Sequence, residues 1–181
     1  MKILKTTIAI LFFTLTTNAQ ITRGNWMVGG NGSFYSQKYK NQQIEQNSMV
    51  LELRPNFGYF LVNNFAIGVS PQLIYINTKE SESPASFGYG AGLYVRYYLL
   101  KSDKKINVLT QVGYTVSGSN NEDSTGTILD VKAGPVFFFN PKVALEITLN
   151  YNSNNLSSST TVDMIRLGVG FQIHLEKTKK L

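Results

Sequence analysis

Apolar residues alternate with small or polar residues along most of the chain after residue 20. The clearest case is 87–100, where one face is Phe, Tyr, Ala, Leu, Val, Tyr and Leu. The opposite face has three glycines followed by Tyr94, Arg96 and Tyr98. A period of two is typical of β-strands with two unlike faces, whereas an amphipathic helix repeats every 3.6 residues. The pattern therefore predicts an all-β protein.

The same alternation recurs eight times. The predicted strands are 24–36, 49–61, 65–77, 87–100, 106–117, 127–139, 143–151 and 161–175. Short connections, 62–64, 101–105 and 140–142, alternate with longer polar connections, 37–48, 78–86, 118–126 and 152–160. An even number of strands with short turns at one end and long loops at the other is typical of a transmembrane β-barrel. A soluble barrel of the lipocalin type has the same alternation with its apolar face turned inward.

Composition favours the membrane barrel over the soluble one. Charged residues make up 15% of the chain, against about 25% in soluble domains. An inward apolar face would leave a row of glycines, serines and threonines on the surface, where soluble proteins carry Lys and Glu. With the faces reversed, small and polar residues fill a narrow lumen while Leu, Val, Ile and the aromatics meet lipid.

Aromatic residues collect near the strand ends, as in the interfacial girdles of membrane barrels. The predicted short-turn girdle contains Trp26, Tyr59, Phe60, Phe65, Tyr97, Tyr98, Phe137, Phe138, Phe139 and Phe171, and the predicted long-loop girdle contains Phe34, Tyr35, Tyr75, Phe87, Tyr89, Tyr114 and Tyr151.

The start of the chain has the features of a signal peptide. A short basic segment, 1–5, precedes a mostly apolar run, 6–15, and small residues follow up to Ala19. Cleavage is predicted between Ala19 and Gln20. A transmembrane anchor is the alternative, but the apolar run is shorter than the about 20 residues that span a bilayer. The predicted organisation is a signal peptide, 1–19, an outer-membrane β-barrel, 20–175, and a basic C-terminal tail, 176–181.

The chain resembles the small eight-stranded outer-membrane barrels of the OmpA, OmpX and OmpW kind from Gram-negative bacteria. The resemblance covers 20–175 and rests on the signal peptide, on Gly-Asn-Trp-Met-Val-Gly-Gly at 24–30 and on Arg-Leu-Gly-Val-Gly-Phe-Gln at 166–172. It implies an eight-stranded antiparallel transmembrane β-barrel with up-and-down meander topology in the cell outer membrane. Members of this group commonly end on an aromatic residue, whereas here Leu175 is followed by a basic tail.

Seven charged residues fall on the predicted lumen face and form the candidate functional site. They are Glu52, Arg54, Arg96, Asp130, Lys132, Glu146 and Arg166. Because an unpaired charge is costly in a low-dielectric interior, these side chains are expected to pair across the lumen. A static network that fixes strand register is one interpretation, and an ionic plug that rearranges to pass small solutes is the other.

The sequence contains little that indicates catalysis or cofactors. It has no Cys and a single His, His174, near the short-turn end of the last strand. The lipid-modifying barrels of this group in general place a His and a Ser together near the outer leaflet, at the opposite end. We therefore predict a protein with no catalytic activity, metal or cofactor, with a structural or surface-interaction role.

The predicted partners follow from this location. They are outer-membrane lipid and an extracellular ligand at the long loops, with the barrel acting as a monomer. Nucleic acid is not expected, although the net charge is +6, because the basic residues are scattered over the turns of an exported protein. The alternative function is a porin-like, narrow transport barrel of the OmpW kind for small solutes, hydrophobic ones included.

Overall fold

The computed structural model describes residues 21–40, 45–79, 85–120, 122–157 and 160–176. They form one closed antiparallel barrel in which each strand pairs with the next in the chain and the last pairs with the first. The strands are β1 Trp26–Lys40, β2 Glu45–Val62, β3 Phe65–Lys79, β4 Ser86–Tyr98, β5 Ile106–Ser119, β6 Glu122–Phe138, β7 Val143–Ser157 and β8 Thr160–Leu175. The predicted fold class, an eight-stranded up-and-down meander, is confirmed.

The strands are longer at the long-loop end than the sequence predicted. Much of the predicted loops 37–48, 78–86, 118–126 and 152–160 is paired strand, as where Lys38 lies opposite Asn47. Apolar alternation stops there because neither face needs to be apolar beyond the membrane, while the backbone ladder continues to satisfy its hydrogen-bonding groups. At the short-turn end the predictions erred the other way, since β4 ends at Tyr98 and β1 begins at Trp26.

Asparagines stabilise the short turns. Asn64 adopts a left-handed conformation with φ of 68°, which Asn tolerates better than most residues. Its side-chain amide donates to the carbonyl oxygens of Tyr98 (2.9 Å) and Leu100 (2.6 Å), joining two turns. In the last turn the Oδ1 of Asn140 accepts from the backbone N–H groups of Lys142 (2.8 Å) and Val143 (2.9 Å).

The barrel has its apolar face outside. On β4, Leu93, Val95 and Tyr97 are exposed, whereas Tyr94, Arg96 and Tyr98 alternate with them and are buried. The same alternation on β8 leaves Leu167 81% exposed. Such a surface is unfavourable in water and matches the hydrocarbon of a bilayer, which indicates that the strands span a membrane.

Three of the predicted girdle aromatics do not face lipid. Phe60, Tyr98 and Phe138 point into the barrel and are buried. Each lies an even number of residues from a charged residue assigned to the lumen face, namely Arg54, Arg96 and Lys132, so strand alternation requires the same inward direction. The girdle prediction was wrong for these residues because it considered depth and ignored the face.

Two predicted segments fall largely outside the described residues. They are the signal peptide, 1–19, and the basic tail, of which the described part ends at Glu176. The side chain of Tyr35, a predicted girdle residue, is also outside the described part. Within the described ranges, no helix has the length and apolar character needed to cross a membrane.

Candidate functional site in the barrel interior

The barrel interior has two unlike halves. The half near the short turns is packed with apolar and aromatic side chains, and the half near the long loops is polar and contains a cavity. All seven charged residues predicted for the lumen point inward, in the row of side chains that alternates with the lipid-facing row. They are divided between the two halves and do not form one continuous chain of ion pairs.

Glu52 is the centre of the charged group in the long-loop half. Its Oε1 accepts from the Nε of Arg54, and its Oε2 lies 2.8 Å from the Nη1 of Arg166. The amide of Gln72 donates to the same carboxylate at 3.1 Å. Because β2 and β8 are not adjacent, the Arg166–Glu52 pair crosses the lumen. Both carboxylate oxygens of Glu52 are thus occupied by cations.

The second charged group lies deeper, in the short-turn half. Arg96 and Glu146 are both almost fully buried and are 2.6 Å apart. The Nε of Arg96 also donates to the Oε1 of Gln111 at 2.8 Å, and its Nη1 contacts the hydroxyl of Tyr98 at 3.2 Å. A buried pair with these additional hydrogen bonds depends strongly on both partners, because either charge alone would be uncompensated.

Lys132 and Asp130, on β6, are not joined to each other in a salt bridge. The Oδ2 of Asp130 accepts from the amide of Asn152 at 2.6 Å, and Asn152 in turn accepts from Arg166 at 2.8 Å. Lys132 is 8% exposed and makes no ion pair or hydrogen bond within the part of the chain that the structure describes. The expectation of pairing therefore fails at Lys132.

An aromatic cluster around His174 closes the short-turn half. The imidazole is fully buried, and its ring centroid lies 5.5 Å from that of Phe138, 5.9 Å from Phe60 and 6.4 Å from Tyr98. Neither ring nitrogen of His174 has a hydrogen-bond partner with good geometry among the described residues. Ile21 is also buried in this cluster, and its carbonyl oxygen accepts from the backbone N–H of Asn64 at 2.9 Å.

This aromatic–His174 cluster was not predicted, although strand alternation contained the signal for it. His174 lies an even number of residues after Arg166 on β8, as Tyr98 does after Arg96 on β4. On β2, β4, β6 and β8, the inward positions that follow the lumen charges toward the short turns include an aromatic residue or His. Four inward rings at one height fill an eight-stranded barrel, whose interior is only wide enough for side chains.

Tyr94 forms the boundary between the two halves. Its ring lines the cavity, and the guanidinium carbon of Arg96 lies 5.7 Å from the ring centroid on the other side. Glycine is required beside it at Gly68, because a Cβ there would clash with the backbone oxygen of Phe57 and with the Tyr94 ring. This explains part of the small-residue pattern that the sequence shows on the lumen face.

The cavity above Tyr94 has a volume of about 280 Å³. Its walls include Glu52, Arg54, Asp130, Lys132 and Arg166, together with the amide side chains of Asn56, Gln72 and Asn150. The amide oxygens of these last three residues are buried and have no hydrogen-bond partner in the part of the chain that the structure describes. Among the described residues there is no group of three or more His, Asp or Glu that could hold a metal ion.

Known structures share this architecture. Neisserial surface protein A has a TM-score of 0.55 and 16% identity, with 83% of this chain and 96% of that chain covered. The N-terminal β-barrel domain of Pseudomonas aeruginosa OprF has a TM-score of 0.56 at 12% identity, covering 84% and 98%. The outer membrane protein OprG of the same organism has a TM-score of 0.56 at 13% identity, covering 86% and 98%.

The chain has the fold of the small eight-stranded outer-membrane β-barrels. This agrees with the resemblance derived from the sequence, and the similar structures are those of outer-membrane proteins of Gram-negative bacteria. No family model and no curated protein matches the chain. At these identities the likeness concerns the fold, so the function has to be argued from the interior and the surface of this chain.

Proposed function

We propose that the protein is an integral outer-membrane barrel without catalytic activity, acting as a monomer in a structural or surface-interaction role. The observation that carries the proposal is the closed short-turn half of the interior. There the aromatic–His174 cluster and the Arg96–Glu146 pair fill the cross-section in two successive layers. A lumen filled in this way favours a static structural role over that of a water-filled channel.

The long-loop end supports the surface-interaction part of the proposal. β1 and β2 remain paired up to Lys40 and Glu45, and β7 and β8 up to Ser157 and Thr160. These extensions lie beyond the last lipid-facing aromatics, so they form a stiff rim outside the membrane. Binding residues held on a rigid scaffold lose little conformational entropy when a partner docks.

The position of His174 supports the absence of catalysis. A general base or nucleophile partner must reach its substrate, and His174 is enclosed by rings, with no hydroxyl or carboxylate of the described residues bonded to its nitrogens. The test is lipid turnover by refolded protein in bilayers. Turnover that disappears in His174→Ala would contradict the proposal.

Planar-bilayer conductance of the refolded wild-type protein tests the closed interior. We expect no steady conductance, because water cannot pass the two layers. A steady conductance that changes in Arg96→Ala or Glu146→Ala would overturn the static role. Lys105→Ala, a substitution in an exposed short turn, is the matched control for loss of charge.

The alternative proposal is a narrow transport barrel of the OmpW kind, and the cavity in the long-loop half is the observation that favours it. A solute of fitting size could enter the cavity, but passage to the periplasmic side would require the Arg96–Glu146 layer to open. Liposome swelling with small uncharged solutes measures this passage directly. Swelling above that of protein-free liposomes would favour transport over a static wall.

A further inference from the structure

The first and last strands of the barrel are paired over only part of their length. The ladder joins Trp26 to Leu175 and ends where Asn31 lies opposite Gly170, whereas every other neighbouring pair of strands is joined by at least ten residue pairs. Continued in register, it would place Phe34 opposite Leu167. We call 32–36 of β1 and 165–169 of β8 the seam.

The seam lies in the outer half of the membrane. Trp26 and Leu175 mark the short-turn end, and a strand needs about ten residues to cross the hydrocarbon. Positions 32–36 and 165–169 therefore come after the midplane. The outward side chains Phe34 and Leu167 are 66% and 81% exposed, so an apolar side chain flanks the seam on each strand.

The cavity reaches the seam. Its walls include Phe34, Leu167 and Val169, which point outward, as well as the charged residues that point inward. The cavity thus connects the polar lumen sideways to the outer leaflet. An open polar cavity facing lipid is unfavourable, because its backbone and side-chain groups lack partners in hydrocarbon.

The charged walls of the cavity have one cation in excess. Arg54 and Arg166 share Glu52, and Asp130 is bonded to Asn152. Lys132 is more than nine-tenths buried and has no carboxylate paired with it among the described residues. A buried ammonium that touches no carboxylate is costly even where carboxylates lie further away, and an anion in contact with it in the cavity would reduce that cost.

We propose that Lys132 and Arg166 bind the phosphate or carboxylate head of a single-chain anionic amphiphile, whose tail leaves the barrel through the seam between Phe34 and Leu167. The excess cation favours an anionic head. The apolar side chains that flank the seam favour a ligand with an apolar tail over a free anion. A strand added by another protein would use the backbone edges alone and would leave Lys132 unpaired. This binding site goes beyond the structural role proposed above and does not depend on it.

Calorimetric titration of refolded protein in neutral maltoside micelles tests the head-group site. Dodecyl phosphate is the probe, inorganic phosphate has the head alone, and dodecanol has the tail alone. We expect saturable binding of dodecyl phosphate, weakened at least about tenfold in Lys132→Met, because a charge-assisted interaction is lost. Lys105→Met, in an exposed turn, should bind as the wild type does.

Three results would overturn the head-group assignment. They are equal affinity for dodecanol, equal affinity in Lys132→Met, and binding of inorganic phosphate as tight as that of dodecyl phosphate. The last would show a free-anion site. Arg166→Gln provides a second variant if Lys132→Met does not refold, as judged by heat-dependent mobility on SDS gels, and it should also weaken binding.

Fluorescence quenching tests the seam in protein that keeps Lys132. Trp26 is the single Trp, so Trp26→Phe gives a silent background into which Phe34→Trp or Tyr114→Trp is introduced. Tyr114 is also a lipid-facing aromatic near the long-loop end, but on β5. Dodecyl phosphate brominated at the tail end should quench Phe34→Trp saturably and Tyr114→Trp only by general partitioning.

Equal quenching at the two positions would contradict lateral exit through the seam. A second copy of the chain covering the seam is the other outcome to exclude. Because the chain has no Cys, Leu167→Cys provides a unique thiol, and disulfide-linked dimers formed in the folded state would overturn the amphiphile proposal in favour of self-association.

Discussion

The same β-strands form the wall around both halves of the barrel interior, but one half is tightly packed and the other contains a cavity. In the short-turn half, Arg96 and Glu146 are enclosed by rings and pair with each other, and Arg96 also bonds to Gln111 and Tyr98. In the long-loop half, Arg54 and Arg166 border a cavity, and their side chains remain 16% and 26% exposed. The same kind of ion pair therefore seals the barrel where it is dry and lines a site where water or a ligand can enter.

The largest effect is expected from breaking the deep pair. Glu146→Ala leaves Arg96 buried and uncompensated, which should lower the free energy of unfolding by about 3–5 kcal/mol. Urea unfolding in lipid vesicles, followed by Trp26 fluorescence, measures it. The matched control replaces both charges, in Arg96→Met with Glu146→Leu, and should recover most of the loss. A loss below about 1 kcal/mol in Glu146→Ala would mean that water reaches this layer.

On the lipid-facing wall, the cost of introducing a charge should depend on depth in the membrane and not on the contents of the interior, because hydrocarbon surrounds both halves. Val112→Arg, on the lipid face near the middle of β5, should cost about 2–4 kcal/mol, and Ile106→Arg, at the start of that strand, about 0–1 kcal/mol. Heat-dependent mobility on SDS gels and urea unfolding report both variants. Equal tolerance at the two positions would contradict the placement of the barrel in the membrane.

The dry character of the short-turn half predicts a stabilising substitution. His174→Phe removes two buried nitrogens that lack partners among the described residues and keeps a ring of similar size, so a gain of about 1 kcal/mol is expected. Phe138→His is the reverse exchange at a neighbouring ring and should cost about 1–3 kcal/mol. If His174→Phe instead destabilises the barrel, a water molecule or another partner must reach the imidazole.

The smallest effect is expected in the long-loop half. Arg54→Gln leaves Arg166 on Glu52, and the site borders a cavity, so the loss should stay below about 1 kcal/mol. The same urea assay used for Glu146→Ala provides a direct comparison. A loss as large as that of Glu146→Ala would remove the energetic distinction between the two halves.

Much of the fold could be predicted because strand alternation is a local property. The lipid-facing side of Leu93 or Leu167 follows from a period of two, and the count of eight strands and the meander follow from the short and long connections between the alternating segments. The rim above the membrane was missed, since Lys38 and Asn47 pair without any apolar pattern. The aromatic–His174 cluster was not predicted, and its members Phe60, Tyr98 and Phe138 were predicted at the correct end but on the wrong face.

The candidate site could be predicted as a set of residues but not as an arrangement. Alternation directs Glu52, Lys132 and Arg166 into the lumen, yet nothing local indicates which of them meet. Arg166 reaches Glu52 from 114 positions away. Lys132, in contrast, is left without an ion-pair partner among the described residues.

Within the membrane, the sequence by itself determined which face of a strand meets lipid, because side chains of opposite character alternate along that part of the strand. Only the tertiary structure decided which inward side chains touch, since barrel closure and strand stagger set the heights at which distant strands face each other. The same closure leaves β1 and β8 joined over Trp26–Asn31 alone, which no local pattern of residues specifies.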